Sequence, residues 1–212
     1  MKKVVAALVL SFFMISSQAY AGDGITMFSG KTLGSGMAIN VSAGAPDISF
    51  LWLDALSKNM DLGAQLRLGY LTPISYYTGG FWMDFDGQMR AMFINQANFN
   101  LALRLDFGLV LVPVGLGNVD VGFNLGPALV IGIPIKNVAS INLGLDIPLT
   151  ITFVNATIAQ IPIGVMFGAE YFFSPKMTFV ANFEIGPGII AVSGATTAGF
   201  YGMFKIGLNF GL

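Results

Sequence analysis

The chain has 212 residues, of which 55% are hydrophobic and 10% are charged, and its formal net charge is −1. Soluble proteins carry about 25% charged residues, so this composition indicates a surface that faces something other than water. The near-neutral charge excludes the basic face of a nucleic-acid-binding protein. Because the chain has no cysteine and no histidine, disulfides, thiolate and imidazole catalysis, and the ordinary zinc, copper and haem sites are excluded too.

The first residues have the three parts of a secretory signal peptide. Residues 1–3 are basic, residues 4–15 form an apolar run, and Ala19 and Ala21 make a small-x-small cleavage site. The apolar run is too short to span a bilayer. We therefore predict that residues 1–21 are a signal peptide that is removed.

Most of the remaining chain alternates apolar and polar residues with a period of two, which predicts β-strands. In chain order, the predicted strands cover residues 34–42, 48–54, 60–71, 84–93, 99–111, 119–133, 138–153, 161–172, 177–188 and 200–212. Several are longer than the ~5–6 residues usual in soluble proteins and match the ~9–11 residues that cross a bilayer. The second strand is the least clear, because both parities are apolar at Phe50, Leu51, Trp52 and Leu53.

The two strands between residues 84 and 111 show the alternation most clearly. One parity is apolar throughout, whereas the other carries unlike charges beside glycine. This is the inside-out pattern of a membrane barrel, with lipid outside and a polar lumen. We predict a short periplasmic lead-in over residues 22–33 and one all-β domain over residues 34–212. The even count of ten strands suits such a barrel, with eight or twelve as alternatives.

One segment allows a helical alternative. Residues 147–169 carry no charge and are long enough to span a bilayer as a helix. Pro148 and Pro162 interrupt the segment, however, and its Ile, Thr and Val content favours strands. We therefore predict two strands and a turn in this region.

At this point the chain resembles the small outer-membrane β-barrels of Gram-negative bacteria. The end of the chain, with Lys205, Gly207, Phe210 and Leu212, resembles the final-strand signal that the barrel assembly machinery reads. The resemblance implies an antiparallel up-and-down transmembrane barrel in the bacterial outer membrane. It also implies that outer-membrane lipids, the assembly machinery and periplasmic chaperones are partners. It implies no specific activity and no oligomeric state.

The inward parity brings ten charged residues into the predicted lumen. They are Arg67, Asp84, Asp86, Arg90, Arg104, Asp106, Asp146, Glu170, Glu184 and Lys205. Hairpin geometry predicts that Arg67 approaches Asp84 and that Glu184 approaches Lys205. Unpaired charges in a confined lumen are costly, so we expect an interlocked network that fills the barrel.

These observations favour a non-catalytic envelope protein or a narrow, porin-like channel for small solutes. Inward glycines between residues 122 and 168 would leave the volume that a channel needs. A surface receptor or adhesin is a second possibility, although the predicted outer loops are short and carry only Asp47 as a charge. A lipid- or peptide-modifying enzyme is a third, but the histidine base is missing. We predict no catalytic residue, no cofactor and no metal site.

Overall fold

The computed structural model describes residues 24–70, 80–113, 119–136, 138–153, 157–192 and 195–212. The predicted signal peptide, with Ala19 and Ala21, lies outside these residues. The described residues form twelve strand segments: β1 Met37–Ala45, β2 Asp47–Ser57, β3 Met60–Gly69, β4 Trp82–Asn95, β5 Asn100–Pro113, β6 Val119–Ile135, β7 Ala139–Asp146, β8 Leu149–Phe153, β9 Thr157–Pro162, β10 Gly164–Ser174, β11 Met177–Val192 and β12 Ala195–Gly211. Among the described residues, no helix is long and apolar enough to cross a membrane.

The twelve segments make a closed antiparallel barrel of ten strands. β7 and β8 are two parts of one strand, since both pair with β6. β9 and β10 are likewise parts of one strand, since both pair with β11. The ring closes where β1 pairs with β12, from Ala38 opposite Gly211 to Ala45 opposite Phe204. The predictions of an all-β fold and of ten strands are thus confirmed.

The prediction of strands in place of a helix over residues 147–169 is confirmed, because the described part of this region belongs to β8, β9 and β10. A predicted boundary in the last hairpin differs from the structure. Residues 190–199 were expected to form a loop, yet β11 and β12 continue through most of it, with Val192 opposite Ala195. The small residues that suggested a loop simply extend this hairpin.

The two faces of the barrel wall have opposite character. In β6, for example, Asn124 is 5% exposed and Phe123 beside it is 57% exposed. The same contrast runs round the ring, where most inward residues are polar, small or glycine and large apolar side chains cover the outside. The alternation in the sequence therefore corresponds directly to the inner and outer faces.

The two ends of the barrel differ. We call one the terminal end, because β1 begins and β12 ends there; the β2–β3, β4–β5, β6–β7 and β10–β11 turns lie at the same end. The opposite ends of the same strands make the other end, which we call the loop end. Residues 24–33, here named the luminal segment, fold into the lumen at the terminal end instead of extending away from it. Thr26, Met27, Ser29 and Thr32 of this segment are buried.

The luminal segment explains the irregular second strand. Leu51 and Leu53 of β2 face inward and form an apolar cluster with Met27 and Ala38. Both leucines are at most 1% exposed. The inner face of β2 is apolar at Leu51 and Leu53 because these residues pack on the segment and not on water.

Candidate luminal binding site

An ion pair in β3 and β4 holds the luminal segment. The Arg90 guanidinium lies 2.5 Å from Asp61 and both side chains are at most 1% exposed. Arg90 also donates to the backbone oxygens of Ser29 and Thr26, each at 3.1 Å. Asp61 in turn accepts the backbone N–H of Leu33 at 3.2 Å. The pair is thus completed by main-chain groups of the luminal segment, which a buried charge requires.

Glu170 of β10 performs the same role on the opposite wall. It is fully buried and accepts the backbone N–H groups of Met27 at 2.7 Å and Phe28 at 3.2 Å. Asn142 and Asn209 donate to it at 3.2 Å and 3.1 Å. Four donors therefore satisfy this carboxylate, two of them from the segment.

A second set of charges lies on the loop side of the luminal segment. Arg67 of β3 pairs with Asp84 and, at 2.8 Å, with Asp86. Trp82 covers the same guanidinium, with its ring centroid 5.9 Å from the Arg67 Cζ. The amide of Asn124 lies 3.3 Å from both carboxylates and bridges them. The predicted approach of Arg67 to Asp84 is therefore present in the structure.

Arg104 of β5 joins two further acids. Its guanidinium lies 3.0 Å from Asp106 and 2.7 Å from Asp146 of β7. Gln88 of β4 donates to Asp106 at 2.7 Å. These contacts tie three neighbouring parts of the wall together.

Lys205 of β12 does not pair with Glu184 as hairpin geometry suggested. Its Nζ lies 2.5 Å from Asp47 of β2, with Ser49 at 3.5 Å. The lysine turns across the ring closure because β1, which separates β12 from β2, offers only small residues there. Asp47 and Asp61 are the charged partners that the candidate list lacked. Asp61 shares the inward parity of Arg67, so the alternation alone could have identified it.

Glu184 of β11 makes no ion pair and no well-formed hydrogen bond among the described residues. The side chain is 1% exposed, and neither carboxylate oxygen has a hydrogen-bond donor among the described residues. Its cross-strand neighbours are Met166 on β10 and Met203 on β12, which cannot donate. The Tyr201 hydroxyl lies close enough to interact with this carboxylate, although the pair falls short of full hydrogen-bonding geometry. Buried polar groups are satisfied in most proteins, so this carboxylate is a candidate ligand-binding group.

A cavity lies beside Glu184, with about 80 Å³ open to water. Phe28 of the luminal segment lines it, and so do charged residues including Arg67, Arg104, Asp146 and Lys205. The rest of the lining combines side-chain amides with the apolar Val130, Pro148, Met166 and Met203 and the ring of Tyr201. The cavity thus offers both charged groups and apolar surface.

Acids exceed bases on this side of the lumen. Among the described inward residues that make no hydrogen bond to the luminal segment, the acids are Asp47, Asp84, Asp86, Asp106, Asp120, Asp146 and Glu184, and the bases are Arg67, Arg104 and Lys205. Oxygens of Asp84, Asp120 and Asp146 also lack a hydrogen-bond donor. This region therefore has more hydrogen-bond acceptors than its described donors satisfy. The described acids do not form a cluster of three that could hold a metal ion.

The residues of the predicted assembly signal lie on β12 and just after it. Lys205 and Gly207 face the lumen, whereas Phe210 and Leu212 face outward and are 37% and 62% exposed. The role of these residues in assembly stays a prediction.

No family profile and no curated protein sequence matches the chain. Among solved structures, the chain is similar to the outer membrane protease OmpT from Escherichia coli. The two share 8% identity with a TM-score of 0.41, and the likeness covers 84% of this chain and 94% of the protease. The likeness does not assign proteolytic activity to this chain.

The prediction of a non-catalytic structural barrel or narrow channel is wrong: the solved structure to which the chain is similar is a protease and not a structural barrel or a channel. Part of the lumen is also filled by the luminal segment, whose Phe28 lines the cavity beside Glu184 and whose Thr26, Ser29 and Lys31 line a second cavity. Of the glycines that suggested an open pore, Gly132 accommodates this segment, packing against Ser29 and Gly30, whereas Gly126 and Gly168 line the cavity beside Glu184.

Proposed function

We propose that the chain spans a bacterial outer membrane and that its lumen binds a small amphipathic amine. The membrane location is supported by the outer face, where 35 large apolar side chains of the described residues are exposed. A water-soluble monomer rarely exposes a contiguous apolar patch of more than a few hundred Å². The barrel interior carries buried charged residues, so the apolar surface of this chain is on its outside.

Binding is supported above all by Glu184, the buried carboxylate without a hydrogen-bond donor. A carboxylate accepts hydrogen bonds only, so the matching ligand group is a donor. An ammonium group provides three donors and a charge that complements the surplus of acids. Hydrogen bonds to charged groups contribute about 1.5–3 kcal/mol each.

The rest of the cavity indicates the other half of the ligand. Met166, Met203 and Pro148 present an apolar wall next to the carboxylate. Behind it, Tyr201 packs with Ile158 and Ile190 in an apolar cluster. Met side chains adapt to irregular apolar shapes, which suits a short alkyl chain. The ligand class that fits both walls is therefore an alkylamine of modest size.

Quenching of tryptophan fluorescence by a brominated ligand tests the binding proposal. Trp82 lies beside Arg67, which lines the cavity, whereas Trp52 faces outward and is replaced in a Trp52→Phe background. We expect saturable quenching by 8-bromooctylamine and none beyond lipid partitioning by the matched anion 8-bromooctanoate. Glu184→Gln should weaken amine binding by about tenfold or more, as loss of one charged hydrogen bond implies. Equal quenching by both ligands, or an unchanged affinity in Glu184→Gln, would overturn the proposal.

The location is tested by fractionating cells that express the full chain. We expect the protein in the outer-membrane fraction, resistant to carbonate extraction, with a gel mobility that changes on boiling. A protein that stays soluble without detergent would contradict this part of the proposal.

A further inference from the structure

Four prolines lie side by side on neighbouring strands of the barrel wall. Pro127 lies in β6, Pro148 between β7 and β8, Pro162 at the end of β9, and Pro187 in β11. The register aligns them. Pro148 is opposite Pro162, because each lies midway between the Asp146–Gly164 pair and the Thr150–Gln160 pair.

The alignment removes hydrogen bonds from three adjacent ladders. Ile147 donates to the Pro127 oxygen at 3.1 Å, and Ile163 donates to the Pro187 oxygen at 2.9 Å. Neither proline can return a bond, because proline has no N–H. Each of these two cross-strand pairs therefore has one hydrogen bond in place of two.

The central ladder loses both bonds at one position. The N–H groups of Ile147 and Ile163 point away from each other, towards β6 and β11. Successive N–H groups of a strand point to opposite sides, so the nitrogens of Pro148 and Pro162 face each other across the ladder. Neither can donate. The wall between residues 146 and 150 thus lacks a bonded pair over four residue steps, or about 13 Å at ~3.3 Å per residue.

The outer side of this gap faces away from the barrel and is apolar, whereas the inner side borders the cavity. Outside it, Ile147, Leu145 and Val165 form an apolar surface, each between 36% and 43% exposed. Inside it, Pro148 lines the cavity described above. The Glu184 carboxylate lies directly over Gly164, where any larger side chain would collide with it. The Glu184 carboxylate therefore contacts the wall at Gly164, two residues from Pro162 and at the edge of the gap in backbone hydrogen bonding.

We propose that the gap between Pro148 and Pro162 is a lateral entrance through which a membrane-dissolved alkylamine reaches Glu184 from the bilayer. This inference rests on the proposed function and adds the route and the source of the ligand. An amphiphile in the bilayer places its alkyl chain at the depth of the strands. Parting two strands costs least where no backbone hydrogen bond has to be broken. The luminal segment closes the lumen at the terminal end, which leaves the wall and the loop end as routes.

A reversible disulfide across the gap tests the route. Ile147 and Ile163 face each other as a non-hydrogen-bonded pair, whose Cα atoms lie about 4.5 Å apart in antiparallel sheets, within disulfide range. The chain has no native cysteine, so Ile147→Cys/Ile163→Cys forms one defined bond. The matched control is Leu109→Cys/Phe123→Cys, an outward pair on the intact β5–β6 ladder.

Both variants are reconstituted in vesicles in the Trp52→Phe background, and 8-bromooctylamine is supplied from a second vesicle population. We expect oxidation of the Ile147→Cys/Ile163→Cys variant to abolish the fast phase of quenching, and reduction to restore it. The oxidised control should keep that phase. The quenching reached at equilibrium should be the same in all forms, since the binding groups are unchanged.

The outcomes separate the entrance from the binding site. Quenching that reaches the same equilibrium at the same rate in the oxidised gap variant overturns the entrance and leaves the binding proposal intact. Absence of quenching in the parent protein overturns both. Should the dicysteine variant not fold, Pro148→Ala/Pro162→Ala supplies the missing N–H groups. Slower quenching in this variant supports the entrance, and an unchanged rate overturns it.

Discussion

The luminal segment and the cavity beside Glu184 are neighbouring layers of one lumen, but their charges are satisfied differently. Around the segment, Asp61 and Glu170 accept N–H groups from it, and Arg90 donates to its carbonyls. In the cavity, Glu184 has no donor among the described residues. The difference teaches that backbone groups complete the buried charges where the segment reaches. Beyond its reach, an external ligand has to supply the donor.

Arg90→Met should have the largest effect, because it leaves Asp61 as a buried charge without its partner and frees two carbonyls of the luminal segment. Breaking a buried ion pair from one side costs about 3–5 kcal/mol. Urea unfolding in lipid vesicles, followed by tryptophan fluorescence, measures the loss. Lys58→Met at the exposed β2–β3 turn is the control and should change stability by less than ~0.5 kcal/mol. Equal stability of the two variants would show that the ion pair does not hold this layer.

Leu53→Ala comes next. The side chain is fully buried and packs with Met27, so we expect a loss of about 3 kcal/mol from the cavity it leaves. Leu62→Ala is the matched control, since Leu62 faces outward and is 41% exposed. A smaller loss for Leu53→Ala than for Leu62→Ala would mean that the luminal segment contributes little to the fold.

Glu170→Gln should cost about 2 kcal/mol. The retained amide oxygen can still accept from Met27, Phe28 and Asn209, but the nitrogen in place of Oε2 cannot accept from Asn142. A lost hydrogen bond to a charged group is worth about 1.5–3 kcal/mol. The same unfolding assay applies. An unchanged midpoint would show that Asn142 finds another acceptor.

Glu184→Gln should have the smallest effect and sharpens the comparison most. The change is chemically the same as in Glu170→Gln, but no donor is lost and the desolvation penalty of a buried carboxylate is removed. We expect a stability within ~1 kcal/mol of the parent, or higher, since buried charges without partners are unfavourable. A loss as large as that of Glu170→Gln would reveal a donor to Glu184 and would end the contrast between the two layers.

The alternation of side chains predicted the barrel well, because it depends on each strand alone. Asp84, Asp86 and Arg104 face the lumen as their parity requires. The exception is β2, where Leu51 and Leu53 face inward. Their parity was ambiguous because the sequence pattern does not show that a distant segment packs inside the barrel.

The partners of the charges were harder to predict, because they depend on contacts between distant strands. Arg67 finds Asp84 on the adjacent strand, as a hairpin allows. Lys205 instead reaches Asp47 beyond the ring closure, which cannot be placed before the register of β1 and β12 is known. The prolines follow the same rule. Pro148 and Pro162 argued against a helix from the sequence, but only the register shows that they face each other.

The hydrogen bonds at the β1–β12 closure of the ring also involve the luminal segment. Asn40 of β1 donates to Asn209 of β12 at 2.8 Å, and Asn209 donates onward to Glu170 at 3.1 Å and to the Ile25 oxygen at 3.5 Å. A barrel that joined its first and last strands while residues 24–33 were still outside would keep the bonds among Asn40, Asn209 and Glu170, but Glu170 would lack the N–H groups of Met27 and Phe28. The hydrogen-bond network at the ring closure is therefore complete only when the luminal segment is inside the barrel.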